Sequence, residues 1–174
     1  MKRIAAMICV LAIALLPVLP AAHAAGKYLV SAEDFMFYFN FYGALADDGH
    51  ELSTENVFDF EYVSDGILYK TIFNECEILT LMLTSDAAQV KTIYCTWARN
   101  VKGSDKYAED FLMMLTETLL ACGMESDSIS SLFTELGAGN SFEVGDKGEM
   151  TIDGIKVSYE VSLLTGISFT LERE

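Results

Sequence analysis

Basic side chains are scarce in this sequence. The 174 residues contain 11 Lys and Arg against 26 Asp and Glu, which gives a formal net charge of −15 at pH 7. Such a surface repels phosphate backbones and anionic lipid headgroups, so nucleic acids and membrane surfaces are poor partners. The same charge favours a partner with a basic surface.

Histidine is scarcer still, and this limits the chemistry available. The two histidines are His23 and His50. Triad or dyad catalysis would depend on His50, because His23 lies in a segment that we expect to be removed. No serine lies in a Gly-x-Ser-x-Gly elbow, and no His-x3-His or Cys-x2-Cys ligand pair is present. We interpret His50, in the polar run Asp47-Asp48-Gly49-His50-Glu51, as a solvated loop histidine.

Phosphate-binding signatures are also missing, since the glycines of Gly137-Ala138-Gly139 follow a predicted helix rather than precede one. Calcium is the cation that the composition favours most, because hard cations prefer carboxylate oxygens. No EF-hand loop is present, however, so we expect no cofactor. The best calcium candidates lie in two acidic loops: Asp47, Asp48 and Glu51 in one, and Asp146 and Glu149 in the other.

Both prolines, and the only long apolar run, lie near the N-terminus. Met1-Lys2-Arg3 is a short basic region, and an apolar stretch then runs to Leu16. Pro17 and Pro20 interrupt it, and Ala22-His23-Ala24 supplies the small residues that a signal peptidase requires. This order predicts a cleaved secretory signal peptide over residues 1–24 and a secreted or periplasmic protein. We expect no membrane insertion after processing, because no later run approaches the roughly 20 residues that span a bilayer.

The remaining residues 25–174 have enough apolar material for a core, since hydrophobic residues make up 52% of the chain. Apolar periodicity and turn residues predict three helices and eight strands. The helices are predicted at 31–46, 104–122 and 128–136, and the strands at 57–63, 67–73, 77–84, 90–98, 141–144, 149–152, 155–164 and 167–172. The interpretation is a single α+β domain with antiparallel sheets and helices packed on one face.

A short motif occurs twice in this pattern. Ala32-Glu33-Asp34-Phe35-Met36 recurs as Ala108-Glu109-Asp110-Phe111-Leu112, and each copy opens a helix that leads into four predicted strands. The match suggests a tandem duplication of an α-β4 unit, with fused repeats at about 31–98 and 104–172. This element order resembles that of secreted two-repeat proteins such as the β-lactamase inhibitor proteins. The resemblance is one of architecture and transfers no binding residues.

Three cysteines follow the predicted signal peptide: Cys76, Cys95 and Cys122. An oxidising compartment permits one disulfide and one remaining thiol. Cys76 and Cys95 flank a predicted hairpin centred near Ala87, so we consider a disulfide between them. The alternative is three small buried hydrophobic residues.

Aromatic residues are concentrated between Phe35 and Tyr42, and a single helix cannot hide them all on one face. Burial against the sheet is one interpretation. The other is that the surplus rings form an exposed contact site, surrounded by acidic residues that suit a basic ligand. The candidate partner-binding residues are Phe37, Tyr38, Phe41 and Tyr42.

These features favour a non-catalytic module that recognises a protein or peptide, with an inhibitor of an extracellular enzyme as one version. A concave sheet face flanked by helices would add contact surface. The alternative is a small secreted hydrolase that uses carboxylates with His50 in support. Substitution of His50 and the Asp47-Asp48 pair would abolish an enzyme but leave a binding module largely intact.

Overall fold

The computed structural model describes residues 27–53, 60–98, 107–136 and 142–174. The predicted signal peptide lies outside these residues. Three helices and eight strands form within them, so the fold is α+β, as predicted. The helices are α1 (Ala32–Ala46), α2 (Ala108–Ala121) and α3 (Ser126–Glu135). The strands are β1 (Val30–Ser31), β2 (Phe60–Val63), β3 (Gly66–Ile72), β4 (Glu77–Leu83), β5 (Gln89–Trp97), β6 (Lys147–Ile152), β7 (Ile155–Ser162) and β8 (Gly166–Arg173).

The strands form one antiparallel sheet with the order β2-β3-β4-β5-β8-β7-β6, and β1 pairs with the start of β5. Hairpins connect β2 to β3, β3 to β4 and β4 to β5 in the first half, and β6 to β7 and β7 to β8 in the second. The last strands of the two halves, β5 and β8, meet in the middle of the sheet, where Cys95 pairs with Phe169. The sheet is therefore continuous across both halves.

One face of the sheet packs against the helices. Leu79 and Leu81 alternate with half-exposed residues along β4, as a strand with one buried face requires. The ring centroid of Phe111 in α2 lies 6.0 Å from that of Trp97 and 6.1 Å from that of Phe169, so this helix packs against β5 and β8. α1 packs against α2 in the same layer.

The opposite face of the sheet is rich in hydroxyl and charged side chains. The register places one row of these residues side by side across five strands. The members of this row are Lys70, Thr80, Tyr94, Thr170 and Ser158.

The structure differs from the predicted elements in two places. Residues 142–146, part of the predicted strand 141–144 and its turn, form a turn in which the Glu143 amide donates to Asp146 Oδ2 at 2.8 Å. The second half therefore has three described strands, and the duplication of an α-β4 unit is not confirmed. The short β1, whose Val30 pairs with Val90, was missed because two residues carry no detectable period.

The predicted disulfide between Cys76 and Cys95 is wrong. The β4–β5 hairpin pairs Cys95 with Leu79, while the Ala98 amide donates to the Cys76 carbonyl at 2.7 Å. The two cysteines are thus three positions apart along the ladder, or about 10 Å at the usual rise per residue, too far for a disulfide. Cys76, Cys95 and Cys122 are buried thiols, as the alternative interpretation proposed.

Candidate functional site

The chain after α1 turns back into the interior of the protein. α1 ends at Asp47, which adopts a left-handed conformation (φ 55°) while its amide donates to the Gly43 carbonyl at 3.0 Å. Gly49 also has a positive φ of 83°, which glycine adopts without strain. The His50 amide donates to Asp48 Oδ1 at 3.0 Å. This tight turn directs the side chains of Asp48 and His50 inward.

His50 joins three carboxylates to form the His50 cluster, which consists of Asp48, His50, Glu77 and Glu117. Nδ1 of His50 lies 3.0 Å from Asp48 Oδ2 and 3.0 Å from Glu117 Oε2, while Nε2 lies 3.3 Å from Glu77 Oε2. Glu77 and Glu117 are fully buried, and His50 is 5% exposed. Four ionisable groups therefore meet beneath the surface.

The three carboxylates belong to different parts of the chain: Asp48 lies in the loop after α1, Glu77 in β4 and Glu117 in α2. Glu77 begins β4 on the same face as Leu79, so the strand alternation points it toward the helices. Glu117 belongs to a stretch of α2 that is buried on all sides, from Met114 to Ala121. The ring of Phe73 packs against the ring of His50, with the two centroids 4.8 Å apart.

The electrostatics of the cluster favour a protonated imidazole. Burial disfavours the charged ring, but hydrogen bonds to Asp48, Glu117 and Glu77 outweigh it and raise the pKa of His50 to about 11. Burial also opposes ionisation of Asp48, yet bonding to His50 lowers the pKa of Asp48 to about 2. Burial raises the pKa of Glu117 to about 8, and the neighbouring Asp48 carboxylate adds to this effect. The attraction between Glu117 and His50 lowers the pKa but does not compensate.

Several oxygens of the cluster lack hydrogen-bond donors. Within the described residues, Glu77 Oε1 and Glu117 Oε1 accept no hydrogen bond, and Asp48 Oδ2 has no well-aligned donor although it lies 3.0 Å from His50 Nδ1. A single imidazole offers two N–H groups, which is too few for three carboxylates. Buried acceptors without donors are unfavourable, so the cluster has capacity for a further cation or proton.

We expect the free energy of unfolding, measured without added metal ions, to fall between pH 4.5 and 6.5. The folded state holds the Glu117 proton more tightly than the unfolded chain does. The contribution of Glu117 to the free energy of unfolding is therefore largest below pH 4.5, and it is lost as the pH rises through 8. His50 is protonated in both states below pH 6.5, and Asp48 is ionised in both above pH 3.8. Urea unfolding at the two pH values, with a chelator present, measures the change.

Glu117→Gln provides the control for this pH effect, because the neutral amide does not titrate. The wild type should lose about 2 kcal/mol more than the variant over this interval, since each pH unit of linked titration contributes about 1.4 kcal/mol. Equal losses in the two proteins would contradict the raised pKa of Glu117.

The interpretation of His50 as a solvated loop histidine is wrong. A polar sequence around a histidine does not reveal that the loop folds inward. The two partners, Glu77 and Glu117, are 27 and 67 residues away. One signal was available: the alternation that buries Leu79 and Leu81 also places Glu77 on the inner face.

The acidic loops proposed for calcium are separated by the fold. Asp48 points to His50, whereas Asp47 and Glu51 are exposed. In the other loop, Asp146 accepts a hydrogen bond from the Glu143 amide. Its neighbour Glu149 forms an ion pair with Lys156 at 2.8 Å.

The four predicted partner-binding residues of α1 lie in different environments. Phe37 is 62% exposed and Phe41 is 38% exposed, while Tyr38 is half-buried. Tyr42 is 2% exposed and belongs to the core, so its prediction as a surface contact is wrong. Its helical position, seven residues after Phe35, places it on the buried face.

A third exposed apolar residue, Leu45, follows Phe37 and Phe41 at the same spacing of four and is 49% exposed. We call these three residues the α1 ridge. Sequence reasoning missed Leu45 because only aromatic residues were considered. The ridge lies on the side of α1 turned away from the core.

Comparisons with known proteins identify no relative: no protein-family model matches the chain, and no curated protein or solved structure matches it significantly. The architectural resemblance to the β-lactamase inhibitor proteins therefore has no support from a structural match. None of the described helices is both long and apolar enough to cross a membrane.

Proposed function

We propose that the protein is a secreted or periplasmic, non-catalytic module that binds a protein or peptide through the α1 ridge. The observation that carries this proposal is the exposure of Phe37, Phe41 and Leu45. Side chains spaced four apart lie on one face of a helix, so the three form a continuous stripe. Exposed apolar stripes of this kind are typical of protein contact sites.

The surroundings of the ridge suit a partner with basic groups around an apolar centre. Glu33, one turn before Phe37, is exposed, and so is Asp47 at the end of the helix. The chain as a whole carries a net charge of −15, which would accelerate encounter with a basic protein. Aromatic anchors are common at binding hot spots, and a polar rim commonly surrounds the centre of an interface.

The ridge is a better candidate than the open face of the sheet. That face presents hydroxyl and charged groups such as Thr80, Thr170 and Lys70, which contribute less to affinity than aromatic anchors. The alternative function, a hydrolase, would need a substrate to reach His50. The ring of His50 is buried beneath Phe73 and its carboxylate partners, which favours binding over catalysis.

The test of this proposal compares two double variants. Phe37→Ser with Phe41→Ser removes the aromatic part of the ridge, while Leu163→Ser with Leu164→Ser removes exposed apolar residues from the β7–β8 turn. All four side chains are exposed, so both variants should fold. A partner captured from the medium around the producing cells is identified, purified and titrated against each protein.

We expect the ridge variant to bind at least about 30-fold more weakly, which corresponds to a loss of about 2 kcal/mol at a hot spot. The turn variant should bind like the wild type. Binding should also weaken as salt is added, because the partner is attracted by charge. Equal affinities of the wild type and the ridge variant would refute the proposal.

A further inference from the structure

We propose that Asp48, His50 and Glu117 form a binding site for a transition-metal dication such as Zn²⁺, and that Glu77 acts as a positioning residue for the His50 ring. The site is independent of the proposed function, because docking at the α1 ridge requires no metal.

The three ligand atoms already converge. Nδ1 of His50 lies 3.0 Å from both Asp48 Oδ2 and Glu117 Oε2, and each of the three residues offers one ligand atom within 4.8 Å of those of the other two. Zinc bonds to nitrogen and oxygen of about 2.0–2.1 Å place neighbouring ligand atoms about 3.0–3.4 Å apart in octahedral or tetrahedral geometry. The distances from Nδ1 therefore fit the edges of such a coordination shell with little movement.

The arrangement on the other side of the ring also fits a metal-bound histidine. Such a histidine almost always donates its second N–H to a carboxylate or carbonyl, which fixes the tautomer and the ring orientation. Glu77 Oε2 lies 3.3 Å from His50 Nε2, and Glu77 is fully buried. Glu77 would thus hold the proton on Nε2 and leave Nδ1 available for the metal.

A second, independent observation is the set of acceptors that no donor satisfies. Oε1 of the fully buried Glu117 accepts no hydrogen bond within the described residues, and Oδ2 of Asp48 has no well-aligned donor although it lies 3.0 Å from His50 Nδ1. A bound dication would satisfy both carboxylates.

The ligand set also indicates which metal would bind. The nitrogen ligand favours zinc or a neighbouring transition metal over calcium, which prefers oxygen ligands alone.

Zinc titration of the purified protein, produced without a histidine tag and stripped with a chelator, tests the site. We expect one zinc ion per chain. Asp48→Asn and Glu117→Gln should each weaken binding at least about 100-fold, since each removes one of three ligands. Glu77→Gln should weaken it about 10- to 100-fold, the range seen when an outer partner of a ligating histidine is changed.

Asp47→Asn is the matched control, because Asp47 is an exposed carboxylate next to the site and asparagine tolerates its left-handed conformation. We expect this variant to bind zinc like the wild type. Absence of saturable zinc binding in the wild type, or equal weakening by Asp47→Asn, would overturn the site.

A direct readout on the wild type avoids any dependence on variants that fail to fold. The sequence contains two histidines, so the ring ¹⁵N signals are few and simple to assign. On addition of zinc, the ¹⁵N chemical shift of His50 Nδ1 should change to the value of a metal-bound nitrogen, while Nε2 should keep its proton. Zinc binding with Nδ1 still protonated would place the metal elsewhere and refute the proposal.

Discussion

Replacement of His50 by leucine is expected to lower the free energy of unfolding of the metal-free protein by about 3–5 kcal/mol, the range typical of removing one partner from a buried ion pair. Glu77 and Glu117 are fully buried, and no other basic side chain of the described residues forms an ion pair with them. Loss of the imidazolium would leave the buried Glu77 carboxylate without a compensating charge and Glu117 without its hydrogen-bond partner. Urea unfolding at pH 7 measures the change.

The physical cause of that loss can be separated from a simple packing defect. A triple variant that combines His50→Leu with Glu77→Leu and Glu117→Met replaces the three buried members of the His50 cluster by apolar side chains of similar size, and it leaves only the partly exposed Asp48. Apolar replacement of an entire buried ion pair is often neutral or stabilising, so the triple variant should recover most of the lost stability. A triple variant as unstable as His50→Leu alone would show that shape, rather than charge, explains the effect.

Gly43→Ala should also destabilise the protein strongly, although alanine normally favours a helix over glycine by about 1 kcal/mol. A Cβ atom at position 43 would overlap the carbonyl oxygen of His50, which is backbone and cannot rotate away. The loop that carries Asp48 and His50 would have to move off α1. Overpacking of this kind costs about 1–3 kcal/mol, and disruption of the His50 cluster would add to it.

Ala44→Gly is the control for this substitution. Ala44 is exposed and lies next to Gly43 in the same helix, so the variant should lose about 1 kcal/mol from helix propensity alone. Thermal or urea unfolding compares the two variants with the wild type. A Gly43→Ala protein more stable than the wild type would contradict the close approach of the loop to α1.

Local patterns in the sequence predicted the elements of the fold because each element carries its own period and its own boundary residues. Ser31 accepts a hydrogen bond from the Asp34 amide at 3.1 Å, as the predicted helix start requires. The alternation of leucines predicted the position of β4. These patterns span only a few residues, so they can be recognised without information about the rest of the chain.

Pairing between elements was predicted less well, because small errors in a turn become larger errors in register. The β4–β5 hairpin was located correctly near Ala87, yet Cys95 pairs with Leu79 rather than meeting Cys76. The exposure of α1 was predicted in part. Phe37 and Phe41 are exposed, whereas Tyr42 faces the core, a distinction that depends on which side of the helix meets α2.

The amino-acid sequence by itself determined the acidic character, the α+β class and most helices and strands, because composition and short-range periodicity carry that information. Only the tertiary structure decided that His50 is buried among Asp48, Glu77 and Glu117. Nothing local brings together residues up to 67 positions apart. A tight turn, a close contact with Gly43 and the inner face of β4 do so jointly. Desolvation then raises the pKa of Glu117, whereas hydrogen bonds to the carboxylates outweigh desolvation and keep His50 protonated.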